Sequence, residues 1–285
     1  MNKVKLVILV GLMAVLVSGC MQISQEVKVN RDGSAMMVEE LRLPPFVVEM
    51  LSQFAAGFGG SEEGESAQTE ISPSNLFPEE QFREKARRMG QGVEFVSREV
   101  KKFEEGMVGY VAKFKIRDIN LFTLNAPEAD PGIEKPTSNT PMTFNLQRGV
   151  STSHLIIRQH FSEEPEKAKK ETGEEEEKAP EREEELTEAD GQKLAQLQQM
   201  LVGMRMQIVV QCGEEIESTN ATWHDQNRII LVDFDMGELL SNPDKLKMLS
   251  QMKEAPKSQE DFMELLQGLE GIKFDLNREI EVTFK

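Results

Sequence analysis

The chain has 285 residues, which is enough for one large domain or two small ones. Its formal net charge is −17, with 50 acidic residues against 33 basic ones, so the surface repels the phosphate backbone of nucleic acids and we expect no nucleic-acid partner. The same charge repels anionic lipid headgroups, so attachment to a membrane is expected to come from hydrophobic insertion rather than from a basic patch.

The first 20 residues have the three parts of an export signal. Lys3 and Lys5 give a positive start, residues 6–17 are almost entirely apolar, and the small residues Ser18 and Gly19 come directly before a cysteine. The apolar run is shorter than the ~20 residues that a transmembrane helix needs. We therefore predict a signal peptide over residues 1–19.

The five residues that end in Cys20, LVSGC, resemble the lipobox of bacterial lipoproteins. The resemblance implies that Cys20 becomes the new N-terminus and carries acyl chains such as palmitate. Two or three chains on one residue anchor a protein stably, because each buried CH₂ contributes ~0.8 kcal/mol. Met21 follows, not the aspartate that this class associates with inner-membrane retention. We expect an exported protein, lipid-anchored to the cell membrane, with the periplasmic face of the outer membrane favoured where the organism has one.

Three stretches of the mature chain predict linkers or long loops. Residues 57–76 are rich in Gly, Ser and Glu, residues 125–141 contain several prolines, and residues 162–185 are dominated by glutamate. Such segments bury too little apolar surface to offset the entropy of ordering. We predict an N-terminal region over 20–161, an acidic disordered linker over 162–185, and a C-terminal region over 186–285. The two regions are either separate domains or parts of one fold.

Alternation of apolar and polar residues predicts a series of short strands. They are expected at residues 23–29, 35–43, 93–100, 108–116, 142–146, 155–157, 206–212, 215–223, 228–234 and 280–284. The first two form a hairpin around the turn at residues 31–33. The next two pairs are also expected to be neighbours in a sheet.

Helices are predicted between these strands. Pro45 and Pro78 each open one, and capping boxes at Thr187 and Ser258 predict two more. The apolar face of the second helix consists of Phe82, Ala86 and Met89, and Gly90 ends it. Short strands with a few helices in irregular order indicate an α+β fold: mainly antiparallel sheets with several amphipathic helices, after the signal peptide.

Part of the mature chain resembles the LppM-like domain of bacterial lipoproteins. The hairpin directly after Cys20 contributes to the resemblance, as does the stretch EIESTNA at residues 215–221, which leads to Trp223 and residues 229–234. In that family a strand ends in a Ser/Thr-Asn turn and a second strand returns. We expect no counterpart here of the family's C-terminal transmembrane helix, and the acidic insertion is foreign to the family. The resemblance implies an envelope protein with no known catalytic activity.

The histidines and the lone later cysteine do not form a reactive set. His154 and His160 are ~20 Å apart along a strand at ~3.3 Å per residue, so they cannot share a metal ion. His224 lies in a polar turn. Cys212 alternates with Met206, Ile208 and Val210 and is therefore expected on a core face, where a thiol is inert.

Three aspartates are the weak candidates for a metal site. Asp233 and Asp235 share a strand face, and Asp225 lies across the hairpin, so their carboxylates could hold Ca²⁺ or act in acid/base chemistry. The alternative is a strand end that enters solvent. We predict no metal and no cofactor. The fingerprints GxSxG and HExxH, the P-loop and the dinucleotide-binding motif are all missing, which favours a protein that is not an enzyme.

The helix opened by Pro45 offers an apolar contact surface. Its apolar residues are Phe46, Val47, Met50, Leu51 and Phe54. They either pack in the core or contact the bilayer or an apolar ligand.

The leading hypothesis is a membrane-anchored envelope lipoprotein with a non-enzymatic binding or scaffolding role. The alternative is a carrier or sensor of an apolar, lipid-like ligand, and a hydrolase is third. The expected partners are membrane lipid through acylated Cys20 and either an envelope protein or an apolar ligand.

Overall fold

The computed structural model describes residues 21–45, 47–49, 76–125, 141–161, 203–213, 215–240 and 271–285. Several predictions fall outside these ranges. They are the lipid site Cys20, the apolar residues Phe46, Met50, Leu51 and Phe54, the linker 162–185, and the helix starts at Thr187 and Ser258.

The described residues include thirteen strands, two α-helices and two 3-10 turns with defined bounds, and residues 45 and 47–49 are also helical. The strands are β1 (Gln22–Val29), β2 (Ala35–Leu43), β3 (Val93–Lys102), β4 (Val108–Ile116), β5 (Thr123–Leu124), β6 (Met142–Arg148), β7 (Ser153–Gln159), β8 (Arg205–Cys212), β9 (Ile216–Thr219), β10 (His224–Asp225), β11 (Arg228–Asp235), β12 (Ile272–Phe274) and β13 (Glu279–Phe284). The helices are α1 (Glu79–Met89) and α2 (Met236–Leu240), and the 3-10 turns are Glu104–Gly106 and Ile119–Leu121.

The strands form two sheets. Sheet A has eight strands in the order β10-β11-β8-β1-β2-β4-β3, with β12 beside β11, and sheet B has five in the order β5-β6-β7-β13-β9. Every pairing is antiparallel except that of β1 with β8, which run parallel from Gln22 opposite Arg205 to Val29 opposite Cys212. The prediction of mainly antiparallel sheets is therefore confirmed.

Both sheets combine strands from the two sides of the predicted linker. In sheet A, β1 to β4 come from residues before 161 and β8, β10, β11 and β12 from residues after 203. Sheet B likewise joins β5, β6 and β7 to β9 and β13. A single hydrophobic cluster contains residues of both sheets, among them Val27, Phe114, Ile157 and Phe284. Regions 20–161 and 186–285 thus share their sheets and their core.

The predicted hairpin of β1 and β2 is confirmed, with Gln22 opposite Arg42 and Val29 opposite Ala35. Its turn is stabilised by Asp32, whose carboxylate accepts hydrogen bonds from the Ser34 backbone N–H at 2.9 Å and from its hydroxyl at 2.6 Å. These bonds hold the pKa of Asp32 below its ordinary value. Local turn chemistry therefore fixes the register of the pair.

Helix α1 agrees with its prediction in start, buried face and end. Pro78 precedes it, and the residues that it buries are Phe82, Ala86 and Met89. Gly90 follows with φ of 135°, and a Cβ atom there would lie 2.0 Å from the Leu121 carbonyl oxygen, so glycine is required. The prediction of several amphipathic helices is not supported: α1 has 11 residues and α2 has five within the part of the chain described.

Strand β9 departs from what the family resemblance implies. It pairs with β13 in sheet B, whereas β11 pairs with β8 in sheet A. The chain therefore changes sheets between Thr219 and His224, and the second strand does not return beside the first.

Candidate functional site

A polar cleft of about 220 Å³ opens on the outer face of sheet A, at the end where β1 begins. Strands β1, β2 and β8 supply its lining, which consists of Gln22, Ile23, Ser24, Glu40, Arg42, Arg205 and Gln207. Because alternate residues of a strand share a face, the pairing register brings these side chains together. Gln22 lies between Arg42 and Arg205, and Ser24 lies between Glu40 and Gln207.

The Arg42 guanidinium forms one wall of the cleft. Its Nε donates to Glu40 Oε1 at 2.6 Å, and its Nη1 lies 3.5 Å from Gln22 Oε1. It also lies over the ring of Phe103, 4.6 Å from the centroid, and Lys101 Nζ is 5.1 Å from the same centroid. Two cations therefore lie close to one aromatic ring beside the cleft.

The Arg205 guanidinium forms the opposite wall. Its Nε and Nη2 donate to the two carboxylate oxygens of Asp233, each at 3.1 Å. The backbone N–H of Arg205 donates to the Met21 carbonyl oxygen at 3.0 Å. Because a bidentate pair fixes the plane of the guanidinium, Arg205 is held in one orientation next to the start of β1.

Of the three aspartates predicted as weak metal candidates, Asp233 and Asp235 are two residues apart on β11 but bind different partners, and Asp225 lies far from Asp233. Asp233 binds Arg205, and Asp235 accepts the backbone N–H of Glu238 at 3.1 Å, at the start of α2. Asp225 is exposed and lies opposite Arg228 in the pairing of β10 with β11. Arg228 is five residues from Asp233, which is about 17 Å along β11 at ~3.4 Å per residue. Within the described ranges, no group of three or more His, Cys, Asp or Glu residues could hold a metal ion.

The histidines also lie in separate places. His154 Nε2 is 3.5 Å from a Glu281 carboxylate oxygen on the outer face of sheet B, and His160 Nε2 is 3.0 Å from the Thr143 hydroxyl. His224 is exposed on β10.

Cys212 lies on the core face of β8, as its alternation predicts, and its side chain is 0% exposed. Burial raises the pKa of its thiol to about 12. The thiol is therefore protonated at neutral pH, and the reactive thiolate is scarce.

A second polar cluster is buried on the inner face of sheet A, around Glu39. The Glu39 side chain is 0% exposed, and its carboxylate accepts from Gln25 Nε2 at 2.7 Å and from the Tyr110 hydroxyl at 2.8 Å. Lys85 Nζ donates to both carboxylate oxygens, at 2.8 and 2.6 Å. Lys85 comes from α1, so the cluster joins the helix to the sheet.

These contacts are those that a buried carboxylate requires. An unpaired charge in the core is strongly unfavourable, and here an ammonium and two neutral donors surround it. Burial and the adjacent Glu39 carboxylate raise the pKa of Tyr110 well above its ordinary value, so the phenol remains a donor. The side-chain amide oxygen of Gln25 is buried and has no hydrogen-bond partner among the described residues. We interpret this cluster as a structural one.

The sequence contained a signal for this cluster that the strand predictions did not use. Glu39 alternates with Ala35, Met37 and Leu41, so a charged residue occupies the apolar face of β2. A charged residue on the buried face of a strand predicts a buried hydrogen-bond or ion-pair partner, but the strand pattern does not identify that partner.

The Ser/Thr-Asn turn after β9 has a structural role. The Asn220 side-chain oxygen accepts from the Glu281 backbone N–H at 2.7 Å, and its Nδ2 donates to the Glu279 carbonyl oxygen at 3.0 Å. The buried Asp275 carboxylate accepts the backbone N–H groups of Thr222 at 2.7 Å and of Asn277 at 3.1 Å. These bonds fix the point at which the chain passes from sheet B to sheet A.

The apolar contact surface predicted after Pro45 is described only in part. Val47 and Val48 are half-buried and pack against the core. None of the helices in the described residues has the length and hydrophobicity of a membrane span.

No model of a known protein family matches the chain, and no curated protein matches it. Among solved structures, the chain is similar to the folded domain of the LppM protein of Mycobacterium tuberculosis, determined by NMR. The identity is 8%, the match covers 93% of this chain and 90% of that chain, and the TM-score is 0.29.

Proposed function

We propose that the chain is an exported envelope lipoprotein, anchored through acylated Cys20, whose sheet-rich domain has a non-enzymatic binding or scaffolding role. The observation that supports this most directly is the position of β1. It begins at Gln22, so Met21 alone separates the proposed lipid site from a central strand of sheet A. Two residues span at most about 7 Å, so the acyl chains would hold the domain directly on the bilayer.

Met21 is itself fixed to the domain. Its side chain packs against the core, and its carbonyl oxygen accepts the Arg205 N–H. An anchor attached at this point would give the domain a restricted orientation on the membrane.

The binding role is supported by the cleft between Arg42 and Arg205. Its lining is polar except for Ile23, which favours a polar partner over the apolar ligand of the carrier hypothesis. The non-enzymatic assignment is supported by the separate positions of the three histidines and by the buried thiol of Cys212.

The test is expression of the full-length chain in a bacterium that acylates lipoproteins, followed by membrane fractionation and mass spectrometry of the N-terminal peptide. We expect the wild type in the membrane fraction with lipid on Cys20. Cys20→Ala should move the protein to the precursor or soluble pool. The matched control is Cys212→Ala, which removes the other cysteine and should leave membrane association unchanged. A wild-type peptide without lipid, or a Cys20→Ala variant that remains in the membrane fraction as mature protein, would contradict the proposal.

A further inference from the structure

We infer that, in the anchored protein, the end of sheet A at which β1 begins lies against the bilayer, and that the cleft between Arg42 and Arg205 binds a phospholipid headgroup. This inference rests on the proposed acylation of Cys20 and extends it to a lipid contact made by the folded domain.

The first argument is position. Arg42 and Arg205 are the residues directly opposite Gln22 on β2 and β8, one strand to either side. Gln22 is two residues from Cys20, and two residues span at most about 7 Å. The cleft therefore lies about as far from the acylated residue as a lipid headgroup is long. The other end of β1, at Val29, is about 23 Å further along the strand at ~3.3 Å per residue.

The second argument is chemistry. The guanidinium group presents N–H donors in a planar fork that matches phosphate oxygens. Arg42 and Arg205 are held in place by Glu40 and Asp233, yet their side chains remain 38% and 47% exposed. The cleft therefore offers oriented donors for a phosphate, and Glu40 lies beside them as a partner for an ammonium group. This combination fits a zwitterionic headgroup such as phosphoethanolamine.

The third argument is the aromatic residue beside the cleft. Phe103 is half-buried, and its ring contacts the Arg42 and Lys101 side chains. Long basic side chains with apolar stems, packed on an aromatic ring, suit the boundary between headgroups and acyl chains. Lys102 is exposed at the same end, as is Glu104.

The inferred contact differs from the expectation that membrane attachment comes from hydrophobic insertion rather than from a basic patch. The net charge of −17 describes the whole chain, whereas the fold gathers four basic side chains at the anchor end. Because Glu40 and Asp233 neutralise two of them, binding to a zwitterionic headgroup does not require an anionic membrane.

The experiment uses the full-length, lipidated protein reconstituted in vesicles of phosphatidylcholine and phosphatidylethanolamine that contain a headgroup-nitroxide lipid. A fluorophore is attached at Lys102→Cys or, as the matched position, at Lys115→Cys. Both lysines are exposed, and they lie near opposite ends of the β3–β4 pair, about 24 Å apart at ~3.4 Å per residue. The native cysteines do not interfere, because Cys212 is buried and Cys20 is acylated in the proposed form.

We expect the nitroxide to remove most of the fluorescence at position 102 and little at position 115. Equal quenching at both positions, or stronger quenching at 115, would overturn the orientation. This comparison needs no substitution in the cleft and so does not depend on the folding of a cleft variant.

The cleft itself is tested with Arg42→Gln and Arg205→Gln, singly and together, in the Lys102→Cys background. The matched control is Arg228→Gln, because Arg228 lies on the same face of sheet A, is 47% exposed like Arg205, and is ion-paired with Glu26 at the other end of the sheet. Because the acyl chains keep the anchor end near the bilayer, we expect quenching at position 102 to decrease in the cleft variants without disappearing, and to stay unchanged in the control. Quenching in the double variant equal to that of the protein with intact Arg42 and Arg205 would overturn the headgroup site.

Mass spectrometry of the N-terminal peptide separates the two proposals. A protein without lipid on Cys20 would refute the proposed function and this inference together. A lipidated protein with equal quenching at positions 102 and 115 would refute this inference alone.

Discussion

Glu39 and Glu40 are neighbours on β2, but the pleat of the strand sends their side chains to opposite faces of sheet A. The Glu39 carboxylate is enclosed by Lys85, Tyr110 and Gln25 and joins α1 to the sheet. The Glu40 carboxylate lies at the surface and orients Arg42 in the cleft. The same chemical group therefore serves stability on the inner face and, in the proposed headgroup site, recognition on the outer face, because the two faces differ in access to water.

The largest loss of stability is expected when Lys85 is removed from the inner-face cluster around Glu39. Lys85→Met removes the ammonium and leaves Glu39 buried without its counter-ion. Breaking a buried ion pair in this way costs about 3–5 kcal/mol, and we expect the lower part of that range because the Lys85 side chain is 28% exposed. Denaturant unfolding measures the change.

The double variant Lys85→Met, Glu39→Gln removes both charges and sharpens this prediction. Because no unpaired charge then remains, it should be more stable than Lys85→Met alone. A double variant that is less stable than the single one would show that Lys85 contributes by packing and not by charge.

Cys212 and Gln211 are neighbours on β8, and their side chains lie on the inner and outer faces of sheet A. Cys212→Ser buries a hydroxyl in the core and should lower the free energy of unfolding by about 1–3 kcal/mol. Gln211→Ser on the outer face is the matched control and should change the free energy of unfolding by less than about 0.5 kcal/mol.

The Cys212 thiol should also react slowly with a thiol reagent in the native state and rapidly after denaturation. Rapid native labelling would show that the two faces of β8 have been exchanged.

The pH dependence of stability tests the burial of Tyr110. The pKa of Tyr110 is raised in the folded state, so the folded state keeps its proton at pH values where the unfolded state releases it. Its contribution is therefore fully present below the ordinary tyrosine pKa of about 10 and decreases as the pH rises above that value.

Tyr110 is the only tyrosine of the chain, so the ultraviolet absorbance of phenolate reports on it alone. We expect phenolate to appear together with the loss of circular dichroism during an alkaline titration. A phenolate signal with an ordinary midpoint in a protein that is still folded would show that Tyr110 is not buried.

The smallest effect on stability is expected for Glu40→Gln. The side chains of Arg42 and Glu40 are 38% and 26% exposed, so both partners of this ion pair keep contact with water, whereas Glu39 is fully buried. An ion pair at the solvent face of a sheet contributes about 0–1 kcal/mol. The free energy of unfolding, measured with heat or denaturant, should therefore barely change, although Arg42 loses the partner that orients it. A decrease as large as that of Lys85→Met would remove the distinction between the two faces.

Much of the secondary structure could be predicted from the sequence because its signals are local. Alternation with a period of two defined β1, β2, β4 and β8 and placed Cys212 on a core face. Pro78 and Gly90 marked the ends of α1 for equally local reasons. The lipid site Cys20 and the linker 162–185 stay predictions.

What the sequence determined by itself was the face on which each side chain of a strand lies, since the pleat depends only on neighbouring residues. The tertiary structure alone decided the parallel pairing of β1 with β8, the change of sheet after β9, and the partners of Glu39. Lys85 is 46 residues from Glu39, and Arg205 lies far along the chain from Arg42, on the other side of the acidic stretch. The sheets bring these residues together through burial of a shared core, and no short-range pattern specifies which strands meet.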